Sequence, residues 1–392
     1  MLAIRAGRAF DGERVLHGGA LVLVDGQRIV AVASGAAPAP HGCQLVEFPT
    51  GAVLPGLIDM HVHLCGDAGM GALDRLADYT DAELDEVIAA SLRQQLAAGV
   101  TTVRDLGDRR YAVVDWWNAR RTTDPTAGWP TVVAAGPPIT SRRGHCWNMG
   151  GEATGAAQLR AAVHERADRG VDVVKVMASG GVMTSGSDVM RCQFEADELR
   201  LVVEEAHAAG LPVTAHAHGV PSVEQAISAG VDGIEHASCL GPTGVEMTDQ
   251  LLQRLAAQQI TVCPTLGKTP DAVPPPTQSP LFGTWEARQR NVGRMSHAGV
   301  RLVSGTDAGI RVGKPHGILP EALADLVAGG IPATAALASA TSVAAESAGL
   351  KARKGRLQPG CDADLLVIDG DPVADIAALT RILAVVCHGH LI

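Results

Sequence analysis

The stretch Leu54-Pro55-Gly56-Leu57-Ile58-Asp59-Met60-His61-Val62-His63-Leu64 sets the terms for the whole chain. Its apolar lead, residues 52–58, reads as a buried strand, and two histidines one residue apart stand at the end of it. Alternate residues of a strand project to the same side, so His61 and His63 point together with their backbones roughly 7 Å apart. That spacing suits two imidazoles converging on one metal ion. The pair by itself equally describes a polar strand end, so the decision rests on what the other strand ends carry.

Beyond this run, apolar strand-like segments alternate with helical patterns. Segments 100–106, 131–135, 171–177, 212–216, 233–236, 260–264 and 300–305 bring the strand total to eight with the opening run. Helical patterns fall at 81–98, 153–169, 195–209, 222–229, 248–258, 284–298 and 321–329. Thr80-Asp81-Ala82-Glu83 has the form of a capping box. Ala98-Gly99, Ala209-Gly210, Ala229-Gly230 and Ala298-Gly299 supply the glycine that a left-handed helix end requires before the next strand. The expected fold class is α/β, a (β/α)8 TIM barrel over residues 53–345, whose strand C-termini carry the chemistry.

The two ends of the chain read differently. Short strands at 2–4, 20–24, 28–32 and 44–48, with Asp25-Gly26 as a hairpin turn, are too few to close a sandwich. Segments 364–368 and 382–386 supply the missing strands. A small β-sandwich domain built from residues 1–52 and 346–392 is expected. Residues 268–282, with three consecutive prolines, read as a wall or lid above the barrel mouth.

Composition narrows the partners. A net charge of -10 without a basic cluster argues against nucleic acid. No apolar run approaches the ~20 residues of a spanning helix, and the N-terminus lacks a charged leader, so no membrane contact and a cytoplasmic location are expected. The eight cysteines form no Cys-x-x-Cys pair and read as reduced thiols.

The polar residues at the strand ends are His61 and His63, Lys175 in the fourth strand, His216 in the fifth, His236 in the sixth, and Asp307 after the eighth. Four histidines, a lysine and an aspartate at one barrel mouth indicate metal chemistry. Lys175 lies in an apolar strand, where a charged ammonium is costly. As a neutral amine it can take up carbon dioxide and become a carbamate, an anion able to bridge two cations. His164, His207 and His297 fall within helices and read as surface or packing residues.

The set Gly56-Leu57-Ile58-Asp59-Met60-His61-Val62-His63, Lys175, His216, His236 and Gly305-Thr306-Asp307-Ala308 resembles the amidohydrolase superfamily. Lys175-Val176-Met177-Ala178-Ser179-Gly180-Gly181 and Thr214-Ala215-His216-Ala217-His218-Gly219 are similar to the branch holding prolidase-like Xaa-amino-acid dipeptidases, ochratoxin-type amidases and imidazolonepropionase-like proteins. The resemblance implies two divalent metal ions, with zinc favoured. His61, His63 and Asp307 would hold one and His216 and His236 the other, with the Lys175 carbamate and a hydroxide between them. Asp307 would also take the proton of the attacking water. His145 and His218 are expected near the substrate, Arg142 or Arg143 on a carboxylate, and Gly180-Gly181 where the backbone closely approaches a ligand.

The expected activity is hydrolysis of an amide C–N bond in a small molecule, a dipeptide or an N-acyl amino acid. A mononuclear deaminase or a lactam or imidazolone hydrolase is the nearest alternative, and a non-catalytic scaffold the remote one. A homo-oligomer is compatible with barrels of this kind.

Overall fold

The computed structural model describes residues 1–123, 128–270, 272 and 280–392. Residues 271 and 273–279 of the expected wall or lid, the proline run at 274–276 among them, lie outside the described residues.

The terminal segments form one hydrogen-bonded sheet. Leu2–Phe10 pairs antiparallel with Ala20–Asp25 and parallel with Gln44–Pro55; Leu365–Asp369 and then Ile382–Cys387 extend the sheet on the other side. Alternation along these strands separates two faces. Ile4, Val22, Val53, Leu365, Val367 and Val386 share one core, while Ala52, Leu54, Leu366, Ile368 and Val385 join the core of the barrel. The expected sandwich is therefore a single sheet folded over its own apolar face. Its edge strand Arg28–Ser34 returns to the turn before Leu365, with Ile29 N–H donating to Cys361 O at 2.9 Å and Gly360 N–H to Ile29 O at 2.8 Å.

The opening apolar run divides in two. Gln44–Pro55 belongs to the terminal sheet, and Leu57–Val62 is the first barrel strand. The change of partner occurs at Gly56 rather than at 52/53, because the chain there passes against Thr101. A Cβ on Gly56 would stand 2.2 Å from Thr101 Oγ1.

The barrel strands are Leu57–Val62, Val100–Asp105, Thr131–Ala134, Val174–Met177, Val213–Gly219, Gly233–Gly241, Thr261–Cys263 and Arg301–Leu302. They pair in parallel as a group of three and a group of five. Backbone bonds close the ring: Ile139 N–H to Lys175 O (2.8 Å) and Met177 N–H to Ile139 O (2.8 Å) at one seam, Met60 N–H to Ser304 O (2.9 Å) at the other. The helices expected between strands are present within two residues of their expected ends. Thr80 and Glu83 form the capping box that starts Asp81–Ala97, and Gly99, Gly210, Gly230 and Gly299 all adopt positive φ.

One helix, Ala112–Thr123, occupies a stretch to which the sequence patterns assign neither helix nor strand. Its start is held by the Asp108 carboxylate, which accepts from Tyr111 N, Val113 N and Val114 N. Among the described residues no helix is long and apolar enough to cross a bilayer.

Candidate active site

His61, His63, Lys175, His216, His236 and Asp307 all line one cleft of about 760 Å³ at the C-terminal mouth of the barrel. His145 and His218 line it too. Each histidine of the first set has one ring nitrogen tied to an acceptor, which fixes the tautomer. His61 Nδ1 donates to Glu235 Oε2 at 2.8 Å, His63 Nδ1 to Gly107 O at 2.9 Å, and His216 Nε2 to Gly180 O at 3.1 Å. His236 Nδ1 donates to Thr265 Oγ1 at 2.7 Å, since that hydroxyl spends its own proton on Pro264 O. What remains is a lone pair on Nε2 of His61, His63 and His236 and on Nδ1 of His216.

These lone pairs meet an electron-rich oxygen. Asp307 Oδ1 lies 3.4 Å from His61 Nε2 and 3.2 Å from His63 Nε2. Such a cluster can share a cation, either a proton or a metal ion, between its members. Burial works against protonating His63, yet Asp307 outweighs it and raises the ring's proton affinity. Burial likewise opposes ionising Asp307, but His61 and His63 hold its carboxyl far below the usual range. His216 and His236 are pushed well below the ordinary histidine value, first by burial and then by His218, joined by His145 at His216 and by His216 at His236. His216, His218 and His236 form a second group of convergent donors.

Two of the site residues stand in strained backbone. His236 has φ 68° and Asp307 φ 61°, left-handed values that a non-glycine residue adopts only when its surroundings hold it there.

Lys175 is 1% exposed and its Nζ has no hydrogen-bond partner among the described residues. Burial depresses its pKa, opposed by Glu235 and Asp307. A third group, His61, Glu235 and Cys263, also has metal-ligand spacing. Its donors are already used: Glu235 is bound by Arg104 at 2.8 Å and Thr214 at 2.6 Å, and burial keeps the Cys263 thiol protonated.

A match to the amidohydrolase family model runs over residues 52–392, most of the chain. The chain belongs to the amidohydrolase family. This amidohydrolase is 28% identical over 404 residues to ochratoxinase of Aspergillus niger, covering 93% of this chain and 80% of that protein. It is 25% identical over 391 residues to imidazolonepropionase of Salinispora tropica, covering 92% and 88%. The crystal structure of a Xaa-Pro dipeptidase with bound methionine in its active site superposes with a TM-score of 0.86 at 26% identity, covering 100% of this chain and 99% of that one. With its family, the amidohydrolase is a hydrolase of carbon–nitrogen bonds.

Some expected placements differ. Arg142 and Arg143 are exposed and neither lines the cleft of this amidohydrolase; the backbone N–H of Arg143 is tied outward to Glu152 at 2.6 Å. Gly180 and Gly181 also lie outside the cleft lining. The close approaches they permit are to the protein itself, since a Cβ would stand 2.4 Å from Asp188 O at Gly180 and 2.4 Å from His145 Nε2 at Gly181. His164 and His207 make surface hydrogen bonds to Glu205 and Asp232.

Several residues of the site had no signal at a strand end. Glu235 fixes His61. Arg288, Arg311 and Lys314 line the cleft. Lys314 Nζ is spent on the carbonyls of Thr265 (3.0 Å), Leu266 (3.1 Å) and Thr306 (2.7 Å), and burial pushes its pKa down to about 7.

Proposed function

We propose that this amidohydrolase cleaves the amide C–N bond of a dipeptide or N-acyl amino acid at two divalent metal ions bridged by a carbamate on Lys175. His61, His63 and Asp307 would hold one metal, and His216 and His236 the other. The donor set fits: neutral imidazoles with preset tautomers and a carboxylate, a combination that favours zinc. When bound, such metals acidify a water and polarise a carbonyl.

The observation that carries this reading is the buried Nζ of Lys175, unpartnered among the described residues. A neutral amine there attacks carbon dioxide, an N–C bond forms and a proton leaves. The resulting anion supplies the negative charge that the four neutral histidines lack. Among the described residues Asp307 is the one carboxylate lining the cleft, so it accepts the proton of the attacking water and returns it to the leaving nitrogen. Burial lowers His145 and His218 to about 3, so both stay neutral near pH 7 and can hydrogen-bond a polar substrate group without adding charge.

The test is an assay of the metal-loaded protein over dipeptides, N-acyl amino acids, lactams and cyclic amidines. Hydrolysis of linear amides is the expected result. Turnover confined to deamination or ring opening would replace this reading.

A further inference from the structure

Lys314 is buried in the wall of the cleft, in the segment that follows the eighth strand. Its Nζ donates to Thr265 O at 3.0 Å, Leu266 O at 3.1 Å and Thr306 O at 2.7 Å. The first two carbonyls belong to the turn after the strand Thr261–Cys263, and the third to the turn after Arg301–Leu302. Three acceptors around one nitrogen match the three protons of an ammonium. Burial weighs against that charge, and charge-assisted hydrogen bonds to the carbonyls offset the cost. The segment itself is fixed: Gly309 N–H donates to Lys314 O at 2.8 Å, and His316 Nε2 to Gly66 O at 2.9 Å.

Both turns that meet the ammonium are left-handed. Thr265 has φ 52° and Asp307 φ 61°, and for a β-branched residue such as Thr265 that conformation needs support from its surroundings. A planar peptide carries its carbonyl rigidly, so holding the oxygen holds the plane. Lys314 grips the plane that follows Thr265 and the plane that precedes Asp307. Each turn then presents one group to a different part of the cleft. Thr265 Oγ1 accepts from His236 Nδ1 at 2.7 Å, while Asp307 Oδ1 stands 3.4 Å from His61 Nε2 and 3.2 Å from His63 Nε2. One side chain therefore joins the support of His236 to the backbone of Asp307.

We propose that Lys314 is a positioning residue that ties these two turns into one unit and so sets His236 and Asp307 in register for the two metal ions. The inference rests on the two-metal reading and adds to it a single residue on which both half-sites depend. A rival role for Lys314 is to offset the charge of Asp307 alone. That role would leave the turn of Thr265 untouched and would need the charge of the ammonium but none of its hydrogen bonds.

The experiment compares wild type, K314M and K314Q by two measurements. Amide hydrogen exchange is followed in the metal-free proteins, and zinc affinity is measured by competition with a chelator in bicarbonate buffer. In K314M the amides of 263–267 and of 304–308 should both exchange faster, by roughly 10-fold or more, with the outer helices unchanged. Zinc affinity should fall by roughly 10-fold or more for each ion held. K314Q keeps two N–H donors without the charge, so it should lose less than K314M by both measures, and it takes the place of K314M if that chain does not fold. Wild-type exchange in either turn of a folded variant, wild-type affinity for either zinc ion, faster exchange spread evenly over the chain, or equal losses in K314Q and K314M would overturn the assignment. If wild type holds a single zinc ion, the two-metal reading fails. The tie between the turns then stands if exchange rises in both turns and that one ion is weakened, and falls if it does not.

Discussion

Glu235 and His61 face each other across the barrel interior, carboxylate Oε2 2.8 Å from ring Nδ1. Burial opposes a charge on Glu235, but Arg104 and His61 hold its carboxyl well below the usual range. The carboxylate therefore stays ionised, keeps the proton of His61 on Nδ1, and turns Nε2 toward Asp307.

Glu235→Gln should loosen that orientation without emptying the space. Metal affinity is expected to fall about 10–100-fold, as for other groups that orient a ligating histidine. Competition with a chelator measures it, and an unchanged affinity would show that His61 needs no such partner.

Asp307→Asn keeps the shape of the side chain and removes its proton affinity. Turnover should drop by about 10²–10⁴-fold, the usual worth of a general acid–base group. Far-UV circular dichroism should be unaltered. A variant with wild-type kcat would take Asp307 out of proton transfer.

Gly305→Ala probes how tightly the barrel wall is packed behind the site. The added Cβ would stand 2.6 Å from Cys263 Sγ and 2.7 Å from His61 N. Since the backbone of His61 is one of the atoms that must move, activity should fall at least ~10-fold, as expected when a reacting geometry is displaced. Equal activity in a folded variant would mean that His61 tolerates displacement.

The terminal sheet carries a buried ion cluster in which Lys354 meets both Asp364 and Asp362, the latter at 3.1 Å. Burial works against ionising Asp362, yet Lys354 and Arg353 hold its pKa below the ordinary value. Burial also works against Lys354, yet Asp364 and Asp362 hold its pKa above the ordinary value. The carboxylate share of the stability is complete above the unfolded value near 3.9 and is lost as pH falls through the lower folded value. The ammonium share is complete below about 10.4 and is lost as pH rises through the higher folded value. Lys354→Met should therefore cost about 3 kcal/mol near neutrality. In urea melts the gap from wild type should shrink as pH drops below roughly 4. A gap independent of pH would contradict this account.

The sequence exposed the residues that obey strand periodicity and concealed those that break it. His61 and His63, and likewise His216 and His218, alternate along their strands, and the cleft receives each pair together. Glu235 precedes His236, so strict alternation would send it to the opposite face. The left-handed backbone at His236 (φ 68°) and Ala237 (φ 43°) breaks the alternation, and both side chains turn to the interior. Arg288 sits on a helix and Arg311 on a loop, where no period points to a site. Ala112–Thr123 escaped notice because its capping carboxylate, Asp108, stands four residues ahead of the helix instead of at its first turn. The terminal sheet was legible strand by strand, but nothing in a strand pattern tells one folded-over sheet from two facing ones.

The carbamate proposed on Lys175 is most directly tested by 13C NMR of the zinc-loaded protein equilibrated with 13C-bicarbonate. One slowly exchanging carbamate carbon per chain, absent from Lys175→Ala, is the result expected here. A wild-type spectrum without that signal in a protein holding two zinc ions, or the same signal in Lys175→Ala, would contradict it.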